Sequence, residues 1–112
     1  MKQGLYRIHF HTAGGASQAM GAGVVSLRDG RVSGGDSNFY YTGAYHLDGT
    51  KVTVHATVLR HTNEPGSRSI FGTDTTKVTL TGSADIDGQI RAFGVVDGAG
   101  IQFQVALKWL AE

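Results

Sequence analysis

The histidines, the serines and one aspartate are the residues of this chain that could carry out chemistry. His9 and His11 are two residues apart and share one face if this segment is a strand, a spacing that can chelate a metal. A metal site needs a third or fourth ligand, and His46 and His55 are expected on strands that do not approach this pair. No serine lies in a Gly-x-Ser-x-Gly elbow. We therefore predict no metal site, no cofactor and no catalytic residue.

Asp36 is the carboxylate in the most distinctive setting, because it follows Gly34 and Gly35. Glycine can adopt φ values that are closed to other residues, and a short carboxylate can accept hydrogen bonds from its own backbone. The three residues predict a tight structural corner between two strands. A structural role for Asp36 is favoured over a catalytic one.

Composition narrows the class of protein. A chain of 112 residues predicts a single domain, residues 1–112, with one core. The formal net charge is +1 without a basic stripe, which argues against direct binding to nucleic acid. Cysteine is absent, and no apolar run has the length of a signal segment or a membrane span. These features predict a cytoplasmic protein without a membrane partner.

Alternation of apolar and polar residues indicates strands along most of the chain. Residues 50–59 show it most clearly, with the apolar face Val52, Val54, Ala56 and Val58. A hairpin loop at Asp48-Gly49 would pair Tyr45 with Val52, Gly43 with Val54, and Tyr41 with Ala56. Eight short strands with tight turns predict an all-β fold, an eight-stranded antiparallel up-and-down barrel of the lipocalin or calycin type.

The inward aromatic residues have two interpretations. They could fill the barrel as core, or they could line a pocket for one small apolar ligand. The candidate pocket residues are Tyr6, Tyr41, Tyr45, Phe103 and Trp109. Small inward residues could leave a void or accommodate the rings; these are Gly43, Ala56, Gly82, Ala92 and Gly94. A packed core is preferred, and a cavity above about 300 Å³ would favour the pocket.

Two surfaces are candidates for contact with another protein. Outward apolar residues near the end of the chain predict a homodimer face: Phe93, Val95, Ala106 and Leu110. The long irregular segment 60–74 combines length with mixed charge, as recognition loops often do. Its candidate partner-binding residues are Arg60, His61, Glu64 and Arg68.

Four motifs occur in the order of a known family. They are Gly4-Leu5-Tyr6-Arg7-Ile8-His9-Phe10, Gly21-Ala22-Gly23-Val24, Gly30-Arg31-Val32-Ser33-Gly34-Gly35-Asp36 and Tyr41-Thr42-Gly43-Ala44-Tyr45. Together they resemble the GrlR-like family, named for a negative regulator of type III secretion, over residues 4–58. The resemblance implies an eight-stranded, lipocalin-like barrel, commonly dimeric, and a member that binds a transcriptional activator and keeps it from DNA.

The loop after the Tyr-x-Gly-x-Tyr strand departs from that family member, which carries an acidic run there. Residues 46–50 of this chain contain one acid, Asp48. We predict a non-catalytic regulatory protein that binds another protein, such as a transcriptional regulator. The alternative is a small apolar-ligand carrier or sensor that uses the barrel interior.

Overall fold

The protein is a closed antiparallel β-barrel, as the alternation predicts. The structure, a computed structural model, describes residues 1–12, 20–63, 74–98 and 102–112. The strands are β1 (Gly4–Thr12), β2 (Met20–Arg28), β3 (Arg31–Gly35), β4 (Phe39–Asp48), β5 (Lys51–Arg60), β6 (Thr75–Ala84), β7 (Gln89–Val96) and β8 (Gln102–Ala111). Each strand pairs with the next, and β8 closes the barrel on β1. Among the described residues, no helix has the length and hydropathy needed to cross a membrane.

The up-and-down order gives the barrel two different ends. The β3–β4 turn, residues 36–38, lies at one end, which we name the Asp36 end. β1, β5 and β7 also finish at this end, and β2, β6 and β8 begin there. Both termini and the tight turns after β2, β4 and β6 lie at the other end, which we name the terminal end. At that end Asp29 and Gly30 have φ values of 52° and 77°, the conformation for which Asp-Gly is favoured in a two-residue hairpin.

The register between β4 and β5 differs from the prediction by two residues. Gly49 and Thr50 form the loop, because Asp48 pairs with Lys51 and Gly49 supplies the positive φ of 63°. The observed pairs are Leu47 with Val52, Tyr45 with Val54, Gly43 with Ala56 and Tyr41 with Val58. The predicted pairs are therefore wrong, namely Tyr45 with Val52, Gly43 with Val54, and Tyr41 with Ala56. A shift of two residues keeps every side chain on its face, so the apolar pattern alone could not distinguish the two registers.

Gly34 and Gly35 belong to β3, and neither has a positive φ. The expectation that they are needed for unusual φ values is wrong. Close approach of neighbouring backbone explains them instead: a Cβ on Gly34 would lie 2.6 Å from the Cα of Val25, and one on Gly35 would lie 2.6 Å from the carbonyl oxygen of Phe39. The corner itself begins at Asp36, after the strand has ended.

Candidate functional site

The barrel encloses a cavity of about 280 Å³. Its wall is mainly aliphatic, with contributions from all eight strands, among them Ile8, Val25, Val54, Leu80, Ala92 and Val105. Three consecutive residues of the β3–β4 turn, Asp36, Ser37 and Asn38, also line it, so the cavity reaches the Asp36 end. The volume is below the value of about 300 Å³ expected of a ligand pocket, so the preference for a packed core stays a prediction.

Alanines and glycines play different parts around this space. Ala56 and Ala92 line the cavity directly, and their small side chains leave the volume unfilled. Gly94 makes room for neighbouring side chains, since a Cβ there would lie 2.6 Å from Cδ2 of Leu80 and would also overlap the ring of Phe103. Gly43 and Gly82 are required by the approach of the adjacent strand: an added Cβ would lie 2.7 Å from the Cα of Ala56 and 2.6 Å from the Cα of Ala92, respectively. Both interpretations of the small inward residues therefore apply, to different positions.

Asp36 organises the polar end of the cavity. Its Oδ1 accepts hydrogen bonds from the backbone N–H groups of Asn38, at 3.0 Å, and Phe39, at 2.9 Å. Its Oδ2 accepts a hydrogen bond from the phenol of Tyr41. The backbone N–H of Asp36 donates to the carbonyl of Phe39 at 2.9 Å, which closes the turn. The Asp36 carboxylate thus shapes the turn, and Asp36 is one of the residues that line the cavity.

Tyr41 is the phenol that faces this carboxylate. Burial raises its pKa, and the hydrogen bond to Asp36 and the negative charge of Asp36 raise that pKa further. The ring of Phe10 contacts Tyr41 edge-on, with 6.2 Å between centroids. Gly23 gives the hydroxyl its space, because a Cβ at Gly23 would lie 3.0 Å from the Tyr41 oxygen. The site therefore has a neutral phenol bonded to a carboxylate at ordinary pH.

The segment after β5 holds the Asp36 turn from outside. The backbone N–H groups of His61 and Thr62 both donate to the carbonyl of Asn38, at 2.8 Å and 3.2 Å. Nε2 of His61 lies 3.0 Å from the carbonyl oxygen of Asp36 and must be the donor, since a carbonyl only accepts. Oδ1 of Asn38 is buried and has no hydrogen-bond partner among the described residues.

The predicted partner-binding residues fall into two groups. Arg60 and His61 are described, and both make intramolecular contacts. The Arg60 guanidinium lies 4.6 Å from the centroid of the Phe39 ring, and its Nε forms an ion pair with Asp74 at 2.7 Å. Glu64 and Arg68 lie outside the described residues. Arg60 and Asp74 join the two ends of segment 60–74, and the backbone N–H of Arg60 also donates to the Asp74 carbonyl at 2.9 Å.

The predicted pocket residues are divided between the two ends of the barrel. Tyr41 and Phe103 line the cavity. Tyr6, Tyr45 and Trp109 are not part of its wall and pack at the terminal end. The Tyr6 hydroxyl donates to the carbonyl of Lys2, and Tyr6 is fully buried. Trp109 Nε1 donates to the carbonyl of Gln3 at 3.2 Å, so the N-terminal residues lie against these rings.

The predicted dimer residues lie on the outer face of β7 and β8 without forming one patch. Phe93 and Val95 are neighbours on β7, with exposed fractions of 67% and 40%. Phe93 pairs with Gln104, and Ala106 pairs with Arg91. Leu110 is six residues from Gln104 along β8, which is about 20 Å, and Lys108 lies between. The contiguous apolar part is therefore Phe93 with Val95.

The described histidines do not converge. His9 pairs with Ala106, and Nδ1 of His55 lies 3.3 Å from the hydroxyl of Thr79. Within the described ranges, no three His, Asp or Glu side chains are arranged to hold a metal ion. The side chain of His11 lies outside what the structure describes.

Ser37 and Asn38 are site residues that the sequence analysis missed. The sequence placed Ser37 after the predicted corner and Asn38 at the start of the next strand, and neither position indicated that the turn lines the cavity. Phe10 also lines the cavity, and the β1–β2 pairing places its ring against Gly21 and near Tyr41. A signal was available in the run Asp-Ser-Asn-Phe, which places three polar side chains directly before an inward aromatic residue.

No model of a protein family matches the chain, and the comparison with curated proteins finds no significant match.

Proposed function

We propose that this protein binds one small apolar ligand inside the barrel and acts as a carrier or sensor without catalysing a reaction. The observation that carries the proposal is the cavity of about 280 Å³, apolar along its wall and polar at the Asp36 end. Concave, mainly apolar sites with a few convergent polar groups are the usual form of a ligand pocket. An eight-stranded barrel has room for one such molecule.

The size of the cavity supports a small ligand. It is roughly twice the volume of an engineered apolar cavity of about 150 Å³ that binds benzene. It lies slightly below the lower limit of about 300 Å³ for typical ligand pockets. A molecule of about ten non-hydrogen atoms therefore suits it better than a long lipid.

The packing contacts that the cavity wall lacks also favour a bound ligand. Aliphatic side chains that face an unfilled space have no packing partners on that side, so those dispersion contacts are missing. Water is a poor occupant of the aliphatic part, because each buried water needs two to four polar partners. An apolar ligand would recover the missing contacts.

Naphthalene, with ten carbon atoms and no polar group, tests the proposal directly. We expect saturable binding to the wild type, measured by its fluorescence, with amide chemical-shift changes at the cavity-lining residues. Ala92→Leu fills the cavity and should abolish binding. Ala44→Leu adds the same side chain on the outer face of β4 and should leave binding unchanged. Equal binding by both folded variants would contradict the proposal.

A second candidate is regulation through protein binding, as the resemblance to the GrlR-like family implies. We propose that such a partner, a transcriptional regulator or a second copy of the chain, would bind at Phe93 and Val95. The supporting observation is their exposure beside each other on the outer face of β7. A cytoplasmic location would fit this role.

The test uses two variants with the same chemical change. Phe93→Glu should abolish capture of a transcriptional regulator from the native cell, whereas Ile86→Glu, at an exposed residue in the β6–β7 turn, should not. Capture that survives Phe93→Glu would place the contact elsewhere, and capture lost equally in both variants would argue against a specific face.

A further inference from the structure

Several hydrogen-bond donors at the polar end of the cavity are already bonded to Asp36. The backbone N–H groups of Asn38 and Phe39 are both occupied by Oδ1 of Asp36. The hydroxyl proton of Tyr41 is occupied by Oδ2 of Asp36. These three donors are therefore in use, while Ser37 and Asn38, which also line the cavity, carry a hydroxyl and an amide as further donors.

Acceptor capacity remains at the same place. Oδ2 of Asp36 receives one hydrogen bond, and a carboxylate oxygen can accept two. The phenol oxygen of Tyr41 donates its proton and retains lone pairs. Both residues line the cavity. A ligand group that meets them can therefore bond to them by donating.

Charge favours the same class of ligand. Among the described residues that line the cavity, Asp36 carries the negative charge and none is Lys, Arg or His. Arg60, which precedes the two residues that bond to the Asn38 carbonyl, has its guanidinium over the ring of Phe39 and its Nε paired with Asp74. A carboxylate or phosphate head group at this end would meet a like charge and be repelled by it.

We propose that the ligand carries a hydrogen-bond donor, a hydroxyl or a protonated amine, on a compact apolar body, and that this donor meets Asp36 and Tyr41. This inference rests on the proposed binding of a small apolar ligand. It selects small alcohols, phenols and amines, and it excludes short fatty acids and other organic anions.

Four probes that share a phenyl group and a short side chain test the head group: ethylbenzene, 2-phenylethanol, 2-phenylethylamine and phenylacetate. Their dissociation constants are measured at pH 7 by calorimetry or by amide chemical-shift titration. For the wild type we expect 2-phenylethanol and 2-phenylethylamine to bind at least about tenfold more tightly than phenylacetate. Ethylbenzene, which has no head group, should bind between these extremes.

Variants of two carboxylates show whether Asp36 causes the preference for donors over anions. Asp36→Asn keeps an oxygen that can accept the turn's N–H groups, and it should reduce the preference for 2-phenylethylamine over phenylacetate to less than about threefold. Asp74→Asn removes a carboxylate that is exposed at the same end and does not line the cavity, and it should leave the preference unchanged. If Asp36→Asn does not fold, Tyr41→Phe should weaken 2-phenylethanol relative to ethylbenzene.

The outcomes separate this inference from the proposed function. Binding of ethylbenzene together with equally tight binding of phenylacetate would overturn the donor class and leave the apolar pocket standing. Failure of all four probes to bind would overturn both. An amine preference that Asp74→Asn removes and Asp36→Asn retains would assign the selectivity to the surface and overturn the inference.

Discussion

The phenol of Tyr41 donates a hydrogen bond to Oδ2 of Asp36, across the hairpin formed by β3 and β4. The other oxygen of the same carboxylate accepts two backbone N–H groups of the turn. Asp36 therefore links the shape of the turn to the position of the phenol in the cavity wall. Any change to one of these two residues should affect both stability and the polar end of the cavity.

Tyr41→Phe should lower the free energy of unfolding by about 1–2 kcal/mol, since it removes a part-buried hydrogen bond to a charged group. The turn should survive, because the two backbone bonds to Oδ1 remain. Urea denaturation followed by circular dichroism measures the change. Tyr40→Phe, which removes an exposed hydroxyl on the next residue, is the control and should change stability by less than about 0.5 kcal/mol. Equal effects would show that the Asp36–Tyr41 bond contributes nothing.

Stability should fall at alkaline pH partly because of Tyr41. The folded protein holds the phenol proton more tightly than the unfolded chain does, since the pKa is raised above its usual value of 10.0. The stabilisation is thus fully present below pH 10 and is lost as the pH rises above it, by at most about 1.4 kcal/mol per pH unit for one group. Unfolding free energies of the wild type and Tyr41→Phe between pH 9 and 11.5 measure how much of the loss of stability is due to Tyr41. The variant should show the shallower decline, and parallel profiles would contradict the assignment.

Gly43→Val should cost more than about 1 kcal/mol. A Cβ at Gly43 would lie 2.7 Å from the Cα of Ala56, so the added side chain would push β4 away from β5. The clash is with the backbone of the adjacent strand. Ala44→Val changes the next residue, which points outward, and should alter stability by less than about 0.5 kcal/mol. Thermal unfolding of the two variants gives the comparison, and an unchanged melting temperature for Gly43→Val would refute this packing argument.

Arg60→Ala should destabilise the protein more than Asp74→Ala does. The ion pair contributes little by itself, because Asp74 is 78% exposed and exposed pairs are typically worth less than about 1 kcal/mol. Arg60 is 14% exposed and also covers the ring of Phe39, and that packing is lost only in Arg60→Ala. We expect a difference of about 1 kcal/mol in denaturant titrations. Equal losses would mean that the ion pair accounts for the whole effect.

If a dimer forms through the outer face of β7, Phe93→Glu should convert it to a monomer and Leu110→Glu should not. Leu110 is about 20 Å from Gln104, the partner of Phe93, and Lys108 lies between them. Light scattering at tens of micromolar measures the mass of each protein. A monomeric wild type, or a dimer that persists in Phe93→Glu, would rule out this face.

The sequence by itself determined the class of fold and the facing of most strand residues. Val52, Val54 and Ala56 are buried as their alternation predicts, because a period of two is a local property that survives any tertiary arrangement. The number of strands followed from the turn residues between them.

Only the tertiary structure decided the register of β4 on β5 and which of the inward residues line the cavity. Pairings that differ by two residues give the same apolar match, so the choice depended on the conformation of Gly49 and Thr50. The sequence pattern of Tyr6, Tyr41 and Trp109 is the same, since each is an inward aromatic residue. Closure of β8 on β1 places Tyr6 and Trp109 at the terminal end, away from the cavity that Tyr41 lines. A cavity is a property of several strands together, since its volume is what side chains from all of them leave unfilled. The bond from Tyr41 to Asp36 was likewise visible only after the turn had brought the carboxylate back toward β4.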